Sequence, residues 1–165
     1  MKTTFETERL ALTKIALTDA PFMRELVNTP GWLTFIGERH VKTTEDAEKY
    51  IEKLLLNPAL TYWVVKLKTA NTPLGIISFI KRSYLDYYDI GFAFLPQHTN
   101  TGYAFEASKA ILDYAINALN MPAVVATTLQ HNSSSIRLLE KLGLRFDKKI
   151  NTEKEELLIY TTNKL

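Results

Sequence analysis

Three strand-like runs follow one another in the middle of the chain, and that succession constrains the fold more than any other feature. Leu60 to Leu67 reads as one strand and Leu74 to Ile80 as a second, with Thr69 to Pro73 as the turn between them. Tyr84 to Leu95 reads as a third, rich in Tyr, Phe and Ile and ended by Pro96. The period then becomes helical: Ala104, Ser108, Ile111, Leu112, Ala115 and Leu119 form one stripe. A short strand over Ala123 to Leu129 follows, then an amphipathic helix over Ser133 to Leu142 ended by Gly143. Leu144 to Ile150 and Leu157 to Thr162 close the chain as a pair of strands. Ahead of the three strands stand a first strand over Arg9 to Ile15 and a helix begun at Thr18-Asp19, with Pro21 in its first turn. Asn28 to Gly37 reads as a loop, and Thr43 and Asp46 open a second helix at capping-box spacing. The order β-α-α-β-β-β-α-β-α-β-β predicts an α/β (α+β) fold, a mixed sheet covered by helices.

One domain over residues 1–165 accounts for this string, since no linker, repeat or low-complexity tract interrupts it. Hydrophobic residues at 46% and charged residues at 23% exclude a disordered chain. A net charge of +2 is too slight to predict a nucleic-acid partner, so any basic patch for an acidic ligand must be local. With no cysteine, a disulfide framework, a thiolate metal site and a cysteine nucleophile are all excluded. His40, His98 and His131 lie too far apart to show metal-ligand spacing. The opening residues include acidic side chains and no apolar core, and no run approaches the about 20 apolar residues of a membrane span. No membrane association is expected, and a cytoplasmic location fits.

Two strand-to-helix junctions carry the chemistry. At the first, a strand ends at Pro96, a polar loop of Gln97 to Thr101 follows, and a helix begins near Gly102. The first turn of a helix presents N–H groups without intrahelical partners, and they and the helix dipole favour an anion. Gly102, lacking Cβ, lets a phosphate approach the backbone, and Asn100 and Thr101 add short polar side chains. Neither G-x-x-x-x-G-K-[ST] nor G-x-G-x-x-G is present, so this is neither a P-loop nor a Rossmann fingerprint. At the second junction, His131 to Gly143, Asn132 or a serine caps the helix and the leucines face the core. The same segment offers a second use: Asn132 and Ser135, one turn apart, present a carboxamide and a hydroxyl to an amide-rich ligand.

Taken together and in order, these pieces resemble the GNAT superfamily of N-acetyltransferases, and within it the Rim-type branch that acetylates protein N-termini. The resemblance rests on Thr7 to Leu12, Thr44 to Glu48, Pro73 to Ile77, Ile90-Gly91-Phe92 with Gly102 to Ala107, and Asn132 to Gly143. It implies a mixed, mostly antiparallel seven-stranded sheet flanked by about four helices and splayed between its fourth and fifth strands. It further implies acetyl-CoA as the acetyl donor, with an amine acceptor that is a protein N-terminus first and a small molecule (polyamine, amino acid or antibiotic) as the alternative, and leaves room for a homodimer and for a CoA-binding domain without catalysis. By the same resemblance, Thr99, Asn100, Thr101, Gly102, Tyr103 and Ala104 hold the pyrophosphate. Phe94 and Leu95 offer main-chain groups to pantetheine amides, Asn132 bonds pantetheine, and Ser135 lies near the sulfur. The chain departs from the family pattern at Thr99, at Asn100 in place of a glycine, and at Thr101 in place of a lysine; Leu144 stands where an aromatic is usual. One flexible position and one positive charge are thereby lost at the phosphates, although Asn tolerates positive φ better than most residues.

The reaction so implied needs a stabilised oxyanion, a proton for the departing sulfur and a base for the amine. Ser135 is the expected acid and Asp89 the first candidate for the base. Glu38, His40 and His131 are further candidates, each also readable as a solvated surface group, as are Glu153, Glu155 and Glu156. Trp32, Phe35 and Tyr87 or Tyr88 are candidates to line the acceptor entrance.

Overall fold

The computed structural model describes residues 1–162. Thr4–Glu6 (β1), Leu10–Lys14 (β2), Leu60–Leu67 (β3), Pro73–Ile80 (β4), Tyr88–Phe94 (β5), Val124–Thr128 (β6), Arg145–Asn151 (β7) and Glu156–Thr161 (β8) form one sheet in the order β1-β2-β3-β4-β5-β6-β8-β7. Every neighbouring pair is antiparallel except β5 and β6. That parallel pair requires a crossover, which Tyr103–Asp113 (here named α4) supplies together with a π-helical turn over Tyr114–Ala118.

The remaining helices are Ala20–Val27 (α1), Pro30–Phe35 (α2), Thr44–Leu56 (α3) and Ser133–Lys141 (α5). Among the described residues, eight strands and five helices replace the expected seven and four. The extra strand is β1, too short to show alternation, which pairs with β2 from Thr4 to Glu6. The extra helix is α2, expected as a loop because Pro30 and Gly31 punctuate it. Pro30 instead occupies its first turn and Thr29 Oγ1 accepts from the Trp32 N–H as N-cap. The third long strand starts at Tyr88 rather than Tyr84, since residues 82–85 form a turn closed by the Leu85 N–H on the Arg82 carbonyl.

Strand alternation sorts the side chains onto two faces. Leu12, Trp63, Val65, Ile77, Phe79 and Ile90 join Ala107, Ile111 and Leu139 beneath α4 and α5. Val64 and Ile76 face the other way, against Phe22, Met23, Leu26 and Ile51 of α1 and α3. The Thr43–Asp46 capping box forms as expected, with Asp46 N–H donating to Thr43 Oγ1 at 3.1 Å and Thr43 N–H returning to Asp46 Oδ2 at 2.9 Å.

Candidate active site

The strands part between β5 and β6. They are paired only at Tyr88↔Val124 and Asp89↔Val125. β5 continues along β4 as far as Phe94, and β6 continues along β8 as far as Thr128, so residues 90–94 keep a strand on one side only. The expected splay is present, and the residue numbers fix its direction: it widens toward the carboxyl end of β5, where α4 begins. The Leu95 N–H donates to the Leu74 carbonyl at 2.9 Å, so that group faces β4. Alternation then turns the main-chain groups of Phe94, Phe92 and Ile90 toward the split. Leu95 also receives the His98 N–H on its carbonyl, so of the two residues expected to offer main-chain groups, Phe94 is the one with an open edge.

The loop after β5 is held by its own groups. Thr99 Oγ1 donates to the Pro96 carbonyl and Thr101 Oγ1 to the His98 carbonyl, each at 2.8 Å. The threonine hydroxyls therefore brace the loop rather than extend its mouth. Asn100 at φ +57° and Gly102 at φ +82° both adopt left-handed backbone conformations, on either side of Thr101. Among the described residues, the N–H groups from Asn100 to Phe105 have no acceptor. They form a cradle chemically suited to a phosphate. Asn100 does adopt the left-handed conformation that a glycine would hold at that place.

A residue that the sequence did not single out lies beside this cradle. Arg9, just before β2, donates from Nη1 to the Thr101 carbonyl at 3.1 Å and lies over the Tyr103 ring, 4.5 Å from its centroid. Its Nη2 is so close that a Cβ on Gly102 would come within 3.2 Å of it. Nη2 has no acceptor among the described residues. A cation is thus present at the loop from a residue 92 positions before Thr101 in the chain. No short motif could have shown it; only the return of α4 over β2 brings the two together.

Across the split, Asn132 caps α5, its Oδ1 accepting from the Ser135 N–H at 3.2 Å. Its side-chain NH₂ group is left without an acceptor among the described residues. Ser135 is half-buried, and its hydroxyl likewise has no protein partner. The capping and the ligand readings of Asn132 are therefore compatible, because they use different atoms.

Asp89 is only 3% exposed. Its Oδ2 accepts from Arg82 Nε at 2.5 Å and from Thr127 Oγ1 at 3.3 Å, and its Oδ1 accepts from the Thr127 N–H at 3.1 Å. Burial holds this carboxyl above the usual aspartate range, against the downward pull of Arg82 and Thr127. Tyr62 of β3 lies within electrostatic reach of Tyr50, Arg82, Arg39 and Asp89, and burial pushes its phenol above the ordinary range. The other base candidates are spread out. Glu38 accepts from the His40 and Arg39 N–H groups and pairs with Lys42; these contacts, the His40 N–H foremost, lower its pKa against the opposing effect of desolvation. His131 packs against Phe35, ring centroids 5.5 Å apart. Of the aromatics expected at the entrance, Phe35 reaches the α5 junction by this contact. Trp32 is buried with its Nε1 on the Gly37 carbonyl, and Tyr88 is stacked on Phe79 in the core. No described helix is long and apolar enough to cross a membrane, and no described cluster of His, Asp and Glu is placed to hold a metal.

An open strand edge leading to a run of unpartnered main-chain donors is an arrangement suited to an extended, anionic ligand. A family model described as an acetyltransferase (GNAT) domain matches residues 9–145, and the chain belongs to that family. The uncharacterized N-acetyltransferase YnaD of Bacillus subtilis (strain 168) is 32% identical over 139 residues, covering 84% of this chain and 81% of YnaD. The crystal structure of a GNAT-family acetyltransferase from Bacillus anthracis is 28% identical at a TM-score of 0.81, covering 96% of this chain and 97% of that one. The spermidine N-acetyltransferase of Vibrio cholerae, solved with CoA and spermine, shares the fold at 18% identity and a TM-score of 0.77, covering 94% of this chain and 95% of its own. The chain is accordingly an acetyl-CoA-dependent acetyltransferase.

Proposed function

We propose that this enzyme acetylates a primary amine borne by a peptide-like molecule, in the manner of the Rim-type enzymes, with a protein N-terminal α-amine as the first candidate. The run of unpartnered N–H groups from Asn100 to Phe105 beside the open edge of β5 carries the donor half of this reading. The cradle binds the diphosphate, and Arg9 Nη2 restores the positive charge that Thr101 lacks. Phe92 and Phe94 offer main-chain amides to the pantetheine, and the Asn132 side-chain NH₂ group bonds it from the opposite wall. Acetyl-CoA supplies the acetyl thioester. The amine nitrogen attacks the thioester carbonyl and the C–S bond breaks. The free N–H groups of β5 at the split stabilise the oxyanion, and the Ser135 hydroxyl gives its proton to the departing sulfur and regains one from the acylated ammonium, directly or through water.

The acceptor half follows from charge. Arg39 and Arg82 both act on Tyr62, while Asp89, the buried carboxylate near them, is already neutralised by Arg82. A polyamine needs surplus carboxylate to replace its water; a single amine on a neutral chain does not. This favours a peptide amine over spermidine. A panel of peptides differing in first residue, free amino acids and spermidine, scored by thiol release from acetyl-CoA, tests the assignment. Turnover on a peptide set sharing one first residue supports it, and preference for spermidine overturns it.

A further inference from the structure

We propose that Asp89 is a positioning residue that sets the point at which the sheet opens, and that it does so by taking a hydrogen bond away from the strand ladder. This rests on the split being the seat of acetyl-CoA. The Val124 carbonyl accepts from the Thr162 N–H, so Val124 turns its main chain to the β8 side. Thr127, an odd number of steps further along, turns its N–H toward β5. In a continuing parallel ladder that N–H would meet a β5 carbonyl. The ladder instead ends at Asp89↔Val125, and the Thr127 N–H goes to Asp89 Oδ1 at 3.1 Å. A side chain here substitutes for the main chain of its own strand.

Substitution of this kind has two effects. It satisfies the donor on β6 that the parting strands would leave bare in a buried place, which would otherwise cost free energy. It also leaves the main-chain edge beyond the Ile90 N–H, as far as Phe94, unclaimed by β6, which is the edge an extended ligand needs. Arg82, in the turn before β5, fixes the carboxylate: its Nε pairs with Oδ2, and the Thr127 hydroxyl meets the same oxygen. With both oxygens engaged and little exposure, Asp89 is poorly placed to collect a proton from an amine.

Asp89→Val removes the acceptor and lets the ladder close by a further step, narrowing the inner end of the split. KM for acetyl-CoA then rises about tenfold, the equivalent of one lost hydrogen bond, with a much smaller fall in kcat. Acetyl-pantetheine suffers the same rise, because the pantetheine arm is what the split holds. Asp89→Asn keeps Oδ1 for Thr127, loses the ion pair, and shifts KM less than Asp89→Val while the acid limb of the kcat–pH profile stays in place. This second variant decides the matter even if Asp89→Val does not fold. A kcat reduced a hundredfold or more in Asp89→Asn, with KM unmoved and the acid limb gone, makes Asp89 the base and overturns the proposal. Unchanged KM in a folded Asp89→Val overturns it as well. Failure of the wild-type enzyme to bind acetyl-CoA would instead refute the reading of the split.

Discussion

Glu106 holds Arg9 in place by two hydrogen bonds: Arg9 Nε donates to Oε2 at 2.7 Å and the Arg9 main-chain N–H donates to Oε1 at 2.9 Å. The Thr7 hydroxyl adds a third on Oε1, at 2.6 Å. A carboxylate on the first turn of α4 thus ties the start of β2 to the cradle and leaves one guanidinium nitrogen, Nη2, free above Gly102. The pairing puts the Arg9 charge to a test. Arg9→Gln is expected to weaken acetyl-CoA binding about tenfold, in line with loss of one charge-assisted contact to phosphate. Acetyl-pantetheine, which has no diphosphate, is expected to be unaffected. Titration calorimetry with the two donors checks this, and an equal loss on both would make Arg9 a strap for α4 and nothing more.

Glu106 also makes stability depend on acid. Burial alone would raise its pKa, but hydrogen bonds from Thr7 and Arg9 together with the Arg9 charge outweigh burial and lower it. The unfolded chain therefore takes up this proton at a higher pH than the folded one. Its stabilisation is complete above the ordinary glutamate pKa of about 4.3 and is lost as pH falls through the lower folded value. Glu106→Gln lacks that dependence. Urea midpoints at neutral pH and near pH 4 are expected to differ less in the variant than in the wild type.

Gly102 is required twice over, by its φ of +82° and by the closeness of Arg9. Gly102→Val places a β-branched side chain in a conformation such residues avoid and pushes Arg9 off the loop. Acetyl-CoA binding is expected to be abolished by calorimetry, with the far-ultraviolet circular dichroism spectrum retained because the sheet and both cores lie elsewhere. Normal affinity in this variant would mean that phosphate does not approach the backbone here.

Much of this was written in local pattern. β3 and β4 are eight-residue runs rich in β-branched and aromatic residues, as strands covered on both faces should be, and α3 announces itself through Thr43 and Asp46. The N-terminal mouth of α4 and the cap of α5 were legible because glycine, asparagine and serine are chosen for local hydrogen bonding. Short or punctuated elements were not: β1 spans too few residues for a period, and Pro30-Gly31 mimics a loop. The contributions of Arg9 and Asp89 were hidden for a different reason. Each depends on a partner far along the chain, Thr101 for Arg9 and Thr127 for Asp89, and no spacing rule reaches that distance. The sequence placed Asp89 by the strand that opens, with alternation able to turn it away from the cleft, and showed neither the arginine nor the main-chain donor that occupy its oxygens.

Asn132 is expected to show two separable losses. Asn132→Ala removes the α5 cap, costing about 1 kcal/mol of stability, and removes the free NH₂ group proposed to bond pantetheine. Asn132→Asp keeps the cap but lacks the NH₂ group, so thermal melting should recover while the affinity for acetyl-CoA stays low. Calorimetry on the pair distinguishes the roles. Recovery of affinity by Asn132→Asp would show that Asn132 serves the helix alone.

Ser135 offers the sharpest division between structure and chemistry. The α5 cap uses its main-chain N–H, so removing the hydroxyl leaves the cap whole, and Ser135→Ala should melt within about a degree of the wild type, as expected for a substitution that breaks no packing or cap. A positioned acid for the departing sulfur contributes about 10²-fold or more to rate. The variant is therefore expected to lose kcat by roughly that factor with KM for acetyl-CoA little changed, the pattern of a group that acts in the transition state. An acetyl donor with a more acidic thiol needs less help from an acid, so the deficit should shrink on such a donor. Steady-state thiol release on two donors of different leaving-group pKa measures this, and an unchanged kcat or an equal deficit on both would remove Ser135 from the reaction.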